Sequence, residues 1–133
     1  MPEPFDPSLL APLVLAYVGD AVFELEVRAE LVRAGVADPD VLHRRAVSQV
    51  RAISQARAWR GIRDHLTPKE AAIARRGRNA KTGRHPRGTT SEEYHDSTAF
   101  EALLGYLYLS GRADRLKEIM ALARIMGEEE GPR

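Results

Sequence analysis

A chain of 133 residues, 44% hydrophobic and 29% charged, is expected to form one folded soluble domain with a single core rather than a disordered chain. It has no cysteine, which excludes disulfides, thiolate zinc sites and a cysteine nucleophile. No apolar run reaches the roughly 18 residues of a membrane span without a charge. Met1-Pro2-Glu3-Pro4 lacks the basic start of a signal peptide, so a cytoplasmic protein with no membrane partner is expected.

The net charge of +1 conceals an asymmetry. Residues 1–40 carry two basic and eight acidic residues, residues 41–90 thirteen basic and two acidic, and residues 91–133 five basic and nine acidic. A basic middle between acidic flanks points to a polyanionic partner, with nucleic acid the leading class.

In chain order, Asp6-Pro7-Ser8 reads as a helix start, with Asp6 capping and Pro7 in the first turn. The helical pattern runs to Leu31-Val32, with Gly35 as its stop; Pro12 fits a short first helix followed by a longer one. Asp38-Pro39-Asp40 starts the next helix, and Val41, Leu42, Ala46, Val50, Ile53 and Ala56 follow at helical spacing. Trp59 is expected to anchor a core edge.

Thr67-Pro68-Lys69-Glu70 is a capping box that predicts a helix from Pro68 to Arg76. Gly77 to Gly88, with three glycines and a proline, predicts a loop. The whole basic stretch, set at residues 75–90, holds Arg75, Arg76, Arg78, Asn79, Lys81, Arg84 and Arg87 and no acid. It reads either as a solvated connector or as a phosphate-gripping segment. It is no nucleotide P-loop, because the Gly-Lys-Ser/Thr ending is missing. Residues 91–96 lead into an apolar helix that stops near Gly111. Arg112 to Met126 forms a last helix, and 127–133 is expected to be a frayed tail. No window alternates strictly enough for a strand, and no repeat or second domain is visible, so 1–133 reads as one all-α domain.

Two stretches carry chemistry. Asp20 stands inside Leu15-Ala16-Tyr17-Val18-Gly19-Asp20-Ala21-Val22-Phe23, an otherwise apolar run, directly after Gly19. A mid-helix glycine costs about 1 kcal/mol against alanine, and a buried carboxylate costs more unless a cation meets it. From this stretch alone, a buried Asp paired with an Arg, or an Asp on the wet edge of a helix, is the simpler reading. The second stretch repeats the pattern: Glu101 lies in an apolar run with Gly105 one turn on, on the same helix face. Two acids, each beside a glycine on an apolar helix, suggest that the helices cross there. Converging carboxylates need a proton or a cation between them, and oxygen ligands suit magnesium or manganese. The Glu101 helix is apolar nearly all round, so part of it, or of the first long helix, is expected to pack on a second copy of the chain.

Several alternatives lack their residues. The four histidines have no zinc-clamp spacing and read as surface or phosphate contacts, no Gly-x-Ser-x-Gly elbow is present, and the paired Glu-x-x-Glu of helical nucleotide hydrolases is missing.

Leu15-Ala16-Tyr17-Val18-Gly19-Asp20-Ala21-Val22 resembles the signature helix of ribonuclease III domains, and Thr98-Ala99-Phe100-Glu101-Ala102-Leu103-Leu104-Gly105 resembles that family's second acidic motif. Leu42-His43-Arg44-Arg45, Arg76-Gly77-Arg78-Asn79-Ala80-Lys81 and Ser97-Thr98-Ala99-Phe100-Glu101 narrow the resemblance to the Mini-ribonuclease III branch, which lacks an appended double-stranded-RNA-binding domain. The resemblance implies a homodimeric, magnesium-dependent endoribonuclease (manganese being a possible substitute) that cuts double-stranded RNA to 5′-phosphate and 3′-hydroxyl ends and matures 23S ribosomal RNA precursors. It implies Asp20 and Glu101 as catalytic metal ligands. Ala16 and Thr98 stand where full-length ribonuclease III has acids, which leaves the metal count open. The competing reading is a non-catalytic RNA-binding module that kept the fold.

Overall fold

A computed structural model of the chain describes residues 5–80 and 88–130, the last five as backbone alone. Among the described residues there are six α-helices, two short 3-10 turns and no strand, so the fold is all-α. Asp6 opens the chain as expected: its Oδ1 accepts hydrogen bonds from the backbone N–H of Ser8 at 3.0 Å and from Ser8 Oγ at 2.7 Å. A 3-10 turn at Pro7–Leu9 follows, and α1 runs over Pro12–Arg33 with Pro12 in its first turn. Gly35, at φ 92°, ends it.

The long second helix expected from Asp38 onwards is two helices, α2 (Pro39–Gln49) and α3 (Ala52–Ile62). No proline or glycine marks the break. Side chains hold it instead, by taking backbone carbonyls that a continuous helix would use. Ser54 Oγ donates to the Ser48 carbonyl at 3.2 Å, and Gln55 Nε2 donates to the Val50 carbonyl at 3.1 Å.

Helix α4 covers Pro68–Asn79 behind the Thr67–Glu70 capping box. It is three residues longer than the sequence reading, so Gly77, Arg78 and Asn79 are its last turn rather than loop. The reason is packing: a Cβ on Gly77 would stand 2.8 Å from Ala102 Cβ and 3.0 Å from the Thr98 carbonyl. Gly77 is the flat spot that lets α4 lie against the next helix. Lys81, Arg84 and Arg87 lie outside the described residues.

Helix α5 (Ser91–Leu109) begins earlier than expected, because Thr90 and Glu93 form a second capping box. Helix α6 (Ala113–Glu130) continues four residues past Met126.

Helix α5 is the axis of the domain. Helices α1, α3 and α4 pack around it, and α6 packs mainly on α3. Phe100, Leu103, Leu104 and Leu107 are fully buried within this one chain, and Phe23 meets Phe100 edge to face at 5.3 Å. Within this one chain α5 buries most of its apolar side chains and leaves Tyr108 56% exposed. Trp59 is buried in the core as expected. Glu70 is also buried; Arg115 grips both its carboxylate oxygens at 2.8–2.9 Å and donates to the His65 carbonyl, tying α4 to α6.

Candidate active site

Helices α1 and α5 meet backbone to backbone. A Cβ on Gly19 would fall onto the Glu101 carbonyl, and one on Gly105 onto the Leu15 carbonyl. The glycines predicted to mark a crossing therefore do so, backbone against backbone. The residue after Gly19 is Asp20, and the residue one turn before Gly105 is Glu101. The close crossing brings these two carboxyls together at a cleft of about 230 Å³, lined also by Val50, Ala52, Gln55, Tyr94 and Ser97.

The two acids are not alike. Asp20 is exposed, which corrects the idea of a buried carboxylate on α1; of the simpler readings, the wet helix edge describes it. Glu101 is half-buried, and burial first, then a hydrogen bond with Asp20 and the charge of Asp20, push its carboxyl up to about 9; a hydrogen bond from Gln55 opposes this. With its carboxyl raised so far, Glu101 carries a proton at neutral pH unless a cation takes that place.

The donor set fits a hard cation that keeps much of its water, since two carboxylates from different elements are what magnesium takes from proteins. It offers little more: among the described residues no group of three or more His, Asp or Glu side chains is placed to hold a metal. Ala16 is buried, and the Thr98 hydroxyl is buried and donates to the Tyr94 carbonyl at 2.9 Å, so neither adds a ligand.

The basic residues fall into different situations. Arg75 and Asn79 are exposed. Arg76 donates to the Ser8 and Leu10 carbonyls at 2.9 and 3.1 Å and ties the segment before α1 to α4. Arg78 Nε donates to Asp96 at 2.8 Å, and Arg60 Nε donates to the other oxygen of Asp96 at 3.0 Å. The sequence reading passed over Asp96 and Gln55, both buried. Gln55 carried a signal: it falls on the Ala52–Ala56–Trp59 side of α3, where a polar residue is out of place. His95 is not a plain surface histidine, for its Nδ1 is buried without a hydrogen-bond partner. The larger groove, about 1030 Å³ between α1, α3 and α6, includes neither Asp20 nor Glu101 in its lining.

Residues 13–112 match the family model described as the ribonuclease III domain. The crystal structure of a protein from Fusobacterium nucleatum superposes with a TM-score of 0.77 at 31% identity, covering 84% of this chain and 90% of that one. Fold and family together define an endoribonuclease.

Among curated proteins, Mini-ribonuclease 3 of Thermoanaerobacter sp. is 44% identical over 120 residues, 90% of this chain and 84% of that protein. Mini-ribonuclease 3 of Symbiobacterium thermophilum is 45% identical over 118 residues, 89% of this chain and 91% of that protein. The chain belongs to the ribonuclease III family and, within it, to the Mini-ribonuclease 3 group.

Proposed function

We propose that this endoribonuclease cuts double-stranded RNA with magnesium as cofactor, manganese being able to replace it, and that its cytoplasmic task is to mature the ends of precursor 23S ribosomal RNA. The observation that carries the reading is the meeting of Asp20 and Glu101 in one cleft at the backbone crossing of α1 and α5. Asp20 and Glu101 would hold the cation, with water completing its shell. When bound, it supplies a Lewis acid that stabilises charge on the phosphate and makes water a better nucleophile at neutral pH. The chain's own contribution is placement. The glycine crossing fixes the two carboxylates, Asp20 at the exposed mouth and Glu101 deeper. Water adds to phosphorus, the bond to the 3′-oxygen breaks, and that oxygen takes a proton, leaving 5′-phosphate and 3′-hydroxyl ends.

The basic stretch supports a duplex substrate. Arg75, Arg76, Arg78 and Asn79, continuing to Lys81, Arg84 and Arg87, would hold the sugar–phosphate backbone, since A-form RNA is read mainly through shape, phosphates and 2′-hydroxyls. A homodimer is supported by the start of the chain, where Leu9 in the 3-10 turn and Leu13, Val14 and Tyr17 in the first turns of α1 are exposed large apolar residues. Residues 1–133 would act as one catalytic domain per subunit. The test is incubation of the purified protein with double-stranded RNA in magnesium or in EDTA. Cleavage in magnesium alone is expected; binding without cleavage in either would leave a non-catalytic RNA-binding module.

A further inference from the structure

Gln55 is a buried amide, 3% exposed, in a helix face that otherwise packs apolar side chains. It sits four residues after the break between α2 and α3, and it acts in two directions. Its Nε2 donates to the Val50 carbonyl at 3.1 Å. A carbonyl only accepts, so this contact fixes which end of the amide carries nitrogen. Across the cleft lies Glu101, and the Gln55 amide draws that carboxyl towards its ionised form, against burial and Asp20. The seam between α3 and α5 has a consistent antiparallel register, for Arg60, five residues on from Gln55, meets Asp96, five residues back from Glu101. Gln55, Val50 and Ala52 line the same cleft as Asp20 and Glu101.

We infer that Gln55 is a positioning residue of the two-carboxylate centre: it anchors Glu101 to the Val50 carbonyl at the helix break and so aims the carboxylate at Asp20. This rests on the reading of Asp20 and Glu101 as the metal site. An apolar side chain of the same size would fill the space and leave Glu101 free to turn. Partners that orient a metal ligand typically contribute about 10- to 100-fold in metal affinity or activity.

The test uses the full chain and Mn2+ as probe. By isothermal titration, Gln55→Met should bind Mn2+ about 10-fold or more weakly than the wild type. On double-stranded RNA its kcat should fall while KM stays within about twofold, and excess Mg2+ should restore part of kcat. A folded Gln55→Met with wild-type Mn2+ affinity and kcat overturns the inference. If Gln55→Met does not fold, Gln55→Glu decides: its third carboxylate opposes Glu101, so Mn2+ should raise its melting temperature by more than it raises that of the wild type. An equal rise overturns the inference. A wild type that binds no Mn2+ at all removes the metal-site reading itself; wild-type binding with unchanged variants removes only the role of Gln55.

Discussion

Gly19 and Gly105 face each other where α1 crosses α5, and at each the other helix's backbone occupies the space a side chain would need: the Gly105 N lies 2.9 Å from a Cβ placed on Gly19, and the Gly19 N lies 3.1 Å from one placed on Gly105. Each obstacle is backbone, which cannot swing aside. Gly19→Ala and Gly105→Ala should each destabilise the fold by about 3 kcal/mol or more, the upper end of overpacking costs. Chemical denaturation of either variant checks this. A folded survivor should lose activity as well, because the same crossing sets the spacing of Asp20 and Glu101.

Asp20→Asn keeps the shape and removes the charge. It should lower kcat about 1000-fold, which corresponds to about 4 kcal/mol of transition-state stabilisation. Asp20 is exposed, so its own removal costs the fold little. Because its charge helps raise the Glu101 carboxyl, the metal-free variant should melt at the wild-type temperature or slightly above it at pH 7. Near-normal turnover in saturating magnesium would remove Asp20 from the reaction.

The Glu101 carboxyl titrates near 9 in the metal-free fold, raised by burial and then by Asp20, against about 4.5 unfolded. A carboxyl with a raised folded value costs nothing at low pH; its penalty grows as pH rises from about 4.5 towards 9, because only the unfolded chain ionises freely. Glu101→Gln mimics the protonated form at every pH. The metal-free variant should match the wild type at pH 4 and exceed it by up to about 3 kcal/mol at pH 7. Urea melts in EDTA at both pH values measure this. Cation binding to the wild type should release a proton and tighten as pH rises over the same range.

Glu70 shows the opposite sign. Burial pushes its carboxyl up, but hydrogen bonds from Arg115 and the Thr67 backbone outweigh that and hold it below its usual value. Its stabilising effect is present above the unfolded value and is lost as pH falls through the lower folded one. Arg115→Met leaves a carboxylate only 1% exposed without its partner, and should cost about 3–5 kcal/mol at pH 7 while leaving the kcat of the remaining folded protein unchanged.

Arg75 and Arg78 should separate RNA contact from structure. Arg75 is exposed, so Arg75→Ala should leave stability unchanged and, if the residue touches a phosphate, make the slope of log affinity against log salt shallower by up to about one unit. Arg78→Ala should also cost stability, about 1–3 kcal/mol, because buried Asp96 would keep only Arg60. Filter binding across a salt series, with calcium in place of magnesium to block cleavage, reads the slopes, and urea denaturation reads the stabilities.

Local rules were enough for much of this molecule. The Asp6 and Asp38 caps, the Thr67–Glu70 box and the stop at Gly35 act within a few residues, so spacing alone reveals them. The pairing of an acid with a glycine on two apolar helices was also legible, since a costly glycine and a costly carboxylate in one apolar run call for a neighbour. What the sequence could not supply depends on contacts across many residues. Asp20 is exposed and Glu101 half-buried because α1 lies on the outside of the bundle and α5 at its axis, and burial is a property of the packed whole. The α2–α3 break has no local punctuation because side-chain hydrogen bonds make it, and Gln55 gains its place at the cleft only when α3 docks against α5. Arg76 and Arg78 read alike in the sequence, yet one holds carbonyls sixty-odd residues away and the other a buried Asp96; only the tertiary structure chooses between partners a chain could equally offer.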